Sequence, residues 1–159
     1  MVAESCECPG EAGANTCEIK DPQRESICPS CGARGKRVDL VTLKALLAVP
    51  LTEIQHADYF FCRTADCATV YFSAAGEQRF PESALRERVY QRHPGDDDVF
   101  VCYCFRHTVG SIRRERESPG QSNVVAAIAD GIKGGMCACE IRNPQGSCCL
   151  GNVRALLAS

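Results

Sequence analysis

No apolar run in this chain approaches the ~18 residues that a membrane helix requires. The first residues, MVAESCECPGEAG, contain no apolar core of the kind a secretory signal carries. These two absences lead us to expect a cytoplasmic protein without membrane insertion. Basic excess is missing as well: 18 Lys and Arg stand against 20 Asp and Glu, for a net charge of −2. General nucleic-acid binding, which leaves a basic footprint, is excluded on that ground. The one basic run, RRER at 113–116, is interrupted by an acid and reads as the solvated face of a helix. There is no glycine-rich phosphate loop, no Ser/His/Asp arrangement and no H-E-x-x-H. The expectation is metal binding or electron transfer, with no catalytic residues assigned.

Cysteine is what the chain has in plenty, 13 in 159 residues. At that density a scaffold is held by disulfides or by metals. Disulfides need an oxidising compartment. An odd count, arranged as short-spaced pairs in a chain with no secretory signal, favours metal. The length allows one domain or two small ones.

The first metal site is read from spacing. ICPSCG offers Cys28 and Cys31, and FFCRTADCATVYF offers Cys62 and Cys67. A C-x2-C hook followed by glycine points two thiolates at one ion, and a second hook closes a tetrahedron, so the four cysteines read as a structural Zn2+ site. Between the hooks, residues 38–49 alternate and then turn apolar at helical spacing, which predicts a strand passing into a short helix, or a segment extended throughout, before Pro50. Residues 58–61 and 68–72 are aromatic and β-branched and should pair as the hairpin carrying the second hook, with a turn at 74–77. Residues 81–92 have room for a helical turn or two. QRHPGDDD at 91–98 reads as a linker.

A second group follows it. VCYCFRHT at 101–108 offers Cys102 and Cys104 at a strand end, with Thr108 as a helix cap, and MCACEIRNPQGSCCL at 136–150 offers Cys137, Cys139, Cys148 and Cys149 around a turn. Thiolates are iron–sulfur ligands, and nearby helix starts steady their charge. Helices are expected at 108–117, at 124–132 behind a Ser122 or Asn123 cap, and at 147–159. Val124, Val125, Ile128 and Ile132 line one face of the second, and Leu150, Val153, Leu156 and Leu157 line the third. Gly131, Gly134 and Gly135 are expected to close the second helix. Cysteines suffice for each site, so His56, His93 and His107 are expected to be surface or packing residues; His107 alone stands near a cluster, where it could tune a potential.

C-x-C, a helical hairpin and then C-x3-N-P-x-G-x-C-C together resemble the [2Fe-2S]-binding half of CopZ-type copper chaperones, itself related to bacterioferritin-associated ferredoxin. The resemblance runs from about Cys28 to Ala158 and implies a [2Fe-2S] cluster on Cys102, Cys104, Cys139 and Cys149, leaving Cys137 and Cys148 as spare thiols. It also implies zinc at Cys28, Cys31, Cys62 and Cys67. The fold expected is α+β: a small zinc-knuckle β module at 28–95 packed with a helical ferredoxin-like module at 96–159. A flexible arm at 1–27 precedes them, whose Cys6, Cys8 and Cys17 could grip a soft metal or be incidental. CopZ-type proteins follow these modules with a heavy-metal-associated domain that carries Cu(I). This chain stops at Ser159, so its expected role is redox support of metal homeostasis or resistance. It would supply single electrons to a soft metal ion, copper or mercury, or to a metal-transport protein. Two alternatives stay open: a ferredoxin docking on a reductase or iron-storage partner, and an interaction module that both metals merely stabilise.

Overall fold

Aromatic residues at successive positions can all be buried only in a strand covered on both faces. In a computed structural model of the chain, which describes residues 26–118 and 123–159, β2 (Tyr59–Phe61) and β3 (Thr69–Ser73) are such strands. They pair antiparallel, Phe60 opposite Phe72, as the sequence predicts, and lie at the centre of a four-stranded sheet. Its edges are β1 (Lys36–Val38) and β4 (Arg79–Pro81), three residues each. Tyr59, Phe61 and Tyr71 point to one face and join Leu43 and Leu47 in a core. Phe60 and Phe72 point to the other, beneath Cys28 and Cys62. Cys6, Cys8, Cys17 and the candidate cap Ser122 lie outside the described residues.

The change of periodicity after Val38 appears as predicted: β1 gives way to α1 (Leu40–Leu46), which buries Thr42, Leu43 and Leu46 and ends before Pro50. The other half starts with a ribbon of β5 (Phe100–Cys102) and β6 (His107–Thr108). Then come α2 (Val109–Glu117), α3 (Val124–Lys133), α4 (Cys139–Arg142) and α5 (Leu150–Ala158). Thr108 caps α2, its hydroxyl accepting from the Ser111 amide at 3.2 Å. Asn123 does not cap α3 with its side chain; the Glu115 carboxylate of α2 accepts from the Val124 amide at 2.6 Å instead. Gly131 does not close α3 but lies within it against Phe105, where an added Cβ would meet Cζ at 2.3 Å.

The last helix begins later than expected, at Leu150 rather than Ser147. The carbonyls of Ser147 and Cys148 are already taken: the Asn143 side-chain amide donates to the first at 2.8 Å and that of Gln145 to the second at 2.9 Å. This NPQG turn also joins the two halves. The buried Tyr71 hydroxyl donates to the Pro144 carbonyl at 2.6 Å, and Lys36 donates to the Gln145 carbonyl at 3.2 Å. Gly146, at φ +63°, lies where a Cβ would come within 3.1 Å of Val38. Around it, α4 packs on α1. Tyr71→Phe leaves the Pro144 carbonyl buried without a donor, so it is expected to cost about 1–3 kcal/mol in denaturant unfolding, with the metals retained.

Candidate metal centres

Thiols two residues apart converge only if the chain doubles back. At Cys28 and Cys31 it does so through paired hydrogen bonds: the Gly32 amide donates to the Cys28 carbonyl, and the Cys28 amide to the Ala33 carbonyl, both at 2.8 Å. Gly32 takes φ +73°, which a side chain resists. The second hook closes the β2–β3 hairpin. The Cys62 amide donates to the Val70 carbonyl at 2.8 Å, and the Cys67 amide to the Thr64 carbonyl at 3.3 Å. All four sulfurs thereby lie within 4.8 Å of one another. Cys28 and Cys67 are 3.8 Å apart, and Cys31 and Cys62 are 3.5 Å apart. Four sulfurs around one zinc at about 2.3 Å stand roughly 3.8 Å apart. The cluster fits Zn2+: thiolates only, with no position left for a reacting ligand.

The Thr64 hydroxyl, 3.4 Å from Cys31 Sγ, is the main cause holding that thiol down to about 6, assisted by the Ala33 amide. Burial pushes Cys67 up to about 12 and raises Cys28. Cys31 is thus the readier thiolate, and an ion must displace protons from Cys28 and Cys67.

Spacing gave no sign of Arg92. It stands on a single 3-10 turn, Tyr90–Arg92, and its guanidinium is inserted into the second hook. It donates to the carbonyls of Thr64, Ala65 (3.1 Å), Cys62 (3.3 Å) and Thr69 (2.6 Å).

Cys102 ends β5, and the loop returning to β6 holds Cys104. Arg106 in that loop takes φ +59°, a left-handed value costing about 1–3 kcal/mol outside glycine, with its guanidinium 4.1 Å over the Phe100 ring. Cys139 opens α4 and Cys149 precedes α5. Cys104 and Cys139 sulfurs are 3.6 Å apart, and the Ala138 amide donates to Cys104 Sγ at 3.3 Å. The Cys149 thiol bridges the other two. Its hydrogen bond is the main cause holding Cys139 down to about 6 and Cys102 to about 7, and those two neighbours drive Cys149 itself strongly up. Burial pushes Cys104 up to about 11. Cys102, Cys139 and Cys149 are buried, Cys104 and Cys137 are half-buried, and Cys148 is exposed. Of the four thiols that the CopZ-type resemblance singles out, the structure brings Cys104 and Cys139 into contact and sets Cys149 to act on Cys102 and Cys139, but no three of the four sulfurs lie within 4.8 Å of one another as those of the knuckle do.

None of the three histidines joins the knuckle; His93 pairs instead with Glu82 at 2.8 Å. Among the described residues no helix is long and apolar enough to cross a membrane, and none of the ten cysteines is in a disulfide.

Residues 25–86, which include both hooks of the knuckle, match the family zf_CopZ, described as a zinc binding domain. Over 122 residues, 77% of this chain, the sequence is 32% identical to the copper chaperone CopZ of Archaeoglobus fulgidus, and the match spans 57% of that protein's length. The X-ray structure of the Archaeoglobus fulgidus CopZ N-terminal domain is 31% identical, with a TM-score of 0.67 over 81% of this chain and 95% of that one.

Proposed function

This chain belongs to the family of the CopZ N-terminal domain, and from that premise we propose that it is a [2Fe-2S] and zinc protein of metal homeostasis that passes single electrons to a soft metal ion or a metal carrier. What carries the proposal is the meeting of Cys104 and Cys139, 35 residues apart in the chain with sulfurs 3.6 Å from each other, next to the buried Cys102 and Cys149. The donor set suits the group: four thiols, two of them lowered well below the usual thiol range, with no histidine or carboxylate among them. Unlike the sulfurs of the knuckle they do not gather on one point, and a two-iron group has two metal positions to fill rather than one. Residues 96–159 would then be the ferredoxin-like module and 28–95 the zinc module. Cys28, Cys31, Cys62 and Cys67 would hold zinc as a structural ion.

When bound, a [2Fe-2S] centre supplies one-electron chemistry with little change of shape. The chain's own residues prepare its place. Amides of Ala138, Phe105 and Cys149 donate to the sulfurs of Cys104, Cys102 and Cys139, easing the gathering of negative charge. Val101, Val109, Ile112 and Val153 keep water from Cys102 and Cys149. Cys104 is the ligand nearest solvent and offers the shortest approach to a partner. The test is anaerobic purification with metal analysis and spectra before and after dithionite. Iron and sulfide in equal amounts, zinc beside them, and visible absorption that dithionite bleaches without loss of zinc are expected. Zinc without iron in protein prepared with iron and sulfide would overturn the redox role and favour a metal-stabilised interaction module.

A further inference from the structure

We infer that the turn Tyr90–Arg92 is a strap through which the zinc hook holds the Cys102–Cys104 loop, so that retention of the cluster depends on zinc, an inference that rests on the two metal centres proposed above. Each residue of this one turn reaches a different part of the metal-binding chain. Arg92 takes the four carbonyls of the second zinc hook. The Tyr90 amide donates to the Tyr103 hydroxyl at 3.0 Å, and that hydroxyl donates to the Arg88 carbonyl at 2.7 Å. Tyr103 lies between Cys102 and Cys104 and is 5% exposed. The Gln91 amide donates to the Gln145 side-chain carbonyl at 2.8 Å, and Gln145 in turn holds the Cys148 carbonyl beside Cys149.

Energetics give the strap a direction. Four carbonyls gather around one guanidinium only while the 62–69 loop is drawn together, which an ion on Cys62 and Cys67 would enforce. Arg92 has its Nε buried without a partner, so its binding rests on the two terminal nitrogens and those carbonyls. Its charge also opposes the net negative charge of four thiolates on one divalent ion. If the loop loosens, a half-buried cation loses its acceptors and the turn is no longer held. Tyr103 and Gln145 then lose their partners together, and the thiols on both sides of the cluster are no longer held in register. Bound zinc should therefore favour retention of the cluster, and by linkage a bound cluster should tighten zinc by the same factor.

The test is a ratio measured on the full chain under anaerobic conditions: the rate of cluster bleaching after a zinc chelator has removed zinc, divided by the rate in zinc-loaded protein. In the wild type the ratio is expected to reach about tenfold, since several hydrogen bonds from a half-buried charged group are at stake. Arg92→Gln and Tyr103→Phe cut opposite ends of the strap and are expected to bring the ratio close to one. A merely structural role would speed bleaching in both states and leave the ratio unchanged. Tyr103→Phe keeps its ring and supplies the answer if Arg92→Gln fails to load metal. A wild-type ratio of one, or an unchanged ratio in the variants, would overturn the strap. Should the chain hold zinc but no iron, the iron–sulfur assignment fails, and the strap is read by hydrogen exchange. Slower exchange at residues 102–105 on adding zinc supports it, and unchanged exchange there overturns it.

Discussion

Cys149→Ser is expected to remove most of the cluster's visible absorption, and Cys148→Ser, one residue away, to leave it nearly intact. The Cys149 thiol is 1% exposed and is the main influence lowering both Cys102 and Cys139, whereas Cys148 is exposed. A hydroxyl in place of a thiolate ligand is a poor donor for iron, so Cys102→Ser, Cys104→Ser and Cys139→Ser are expected to bleach or strongly shift the spectrum too. Cys137→Ser is expected to behave like Cys148→Ser. The measurement is the absorption spectrum with iron content per chain, taken anaerobically. Bleaching by Cys148→Ser with survival of Cys149→Ser would move the ligand by one residue and undo the assignment.

Cys62→Ser should have the larger effect on stability. Its sulfur is fully buried above the Phe60–Phe72 stack, whose ring centroids are 5.6 Å apart. Structural zinc sites contribute about 10–16 kcal/mol of apparent binding energy in small zinc peptides. Losing a ligand therefore puts the whole β half at risk, and zinc content and the cooperative melt are expected to fall together for Cys62→Ser and for Cys28→Ser. Full zinc occupancy with an unshifted melt in either variant would show that these hooks are not the zinc site.

Local signals located most of what builds the two cysteine groups. The C-x2-C and C-x4-C spacings predicted a knuckle whose four sulfurs do meet, because a hook is made by its own few residues. The β2–β3 hairpin and the Thr108 cap were legible for the same reason. What stayed hidden depends on partners far away in the chain. Arg92 looks like an ordinary surface charge until the 62–69 carbonyls are placed around it, and Tyr71 looks like any strand aromatic until Pro144 arrives beneath its hydroxyl. The short helix α4 was not anticipated because four residues have too little periodicity to show. The delayed start of α5 follows from side-chain amides competing for backbone carbonyls, which propensity does not register.

The sheet's margins bear on aggregation. Its stickiest stretch, TVYF in β3, is shielded on both sides by neighbouring strands. The outer strands that remain available to another molecule are only three residues long; one begins with Lys36 and Arg37, and the other runs from Arg79 to Pro81. Charges, proline and brevity are the devices by which sheet edges refuse to recruit further strands. As long as the sheet stays paired, its margins therefore offer no template for aggregation.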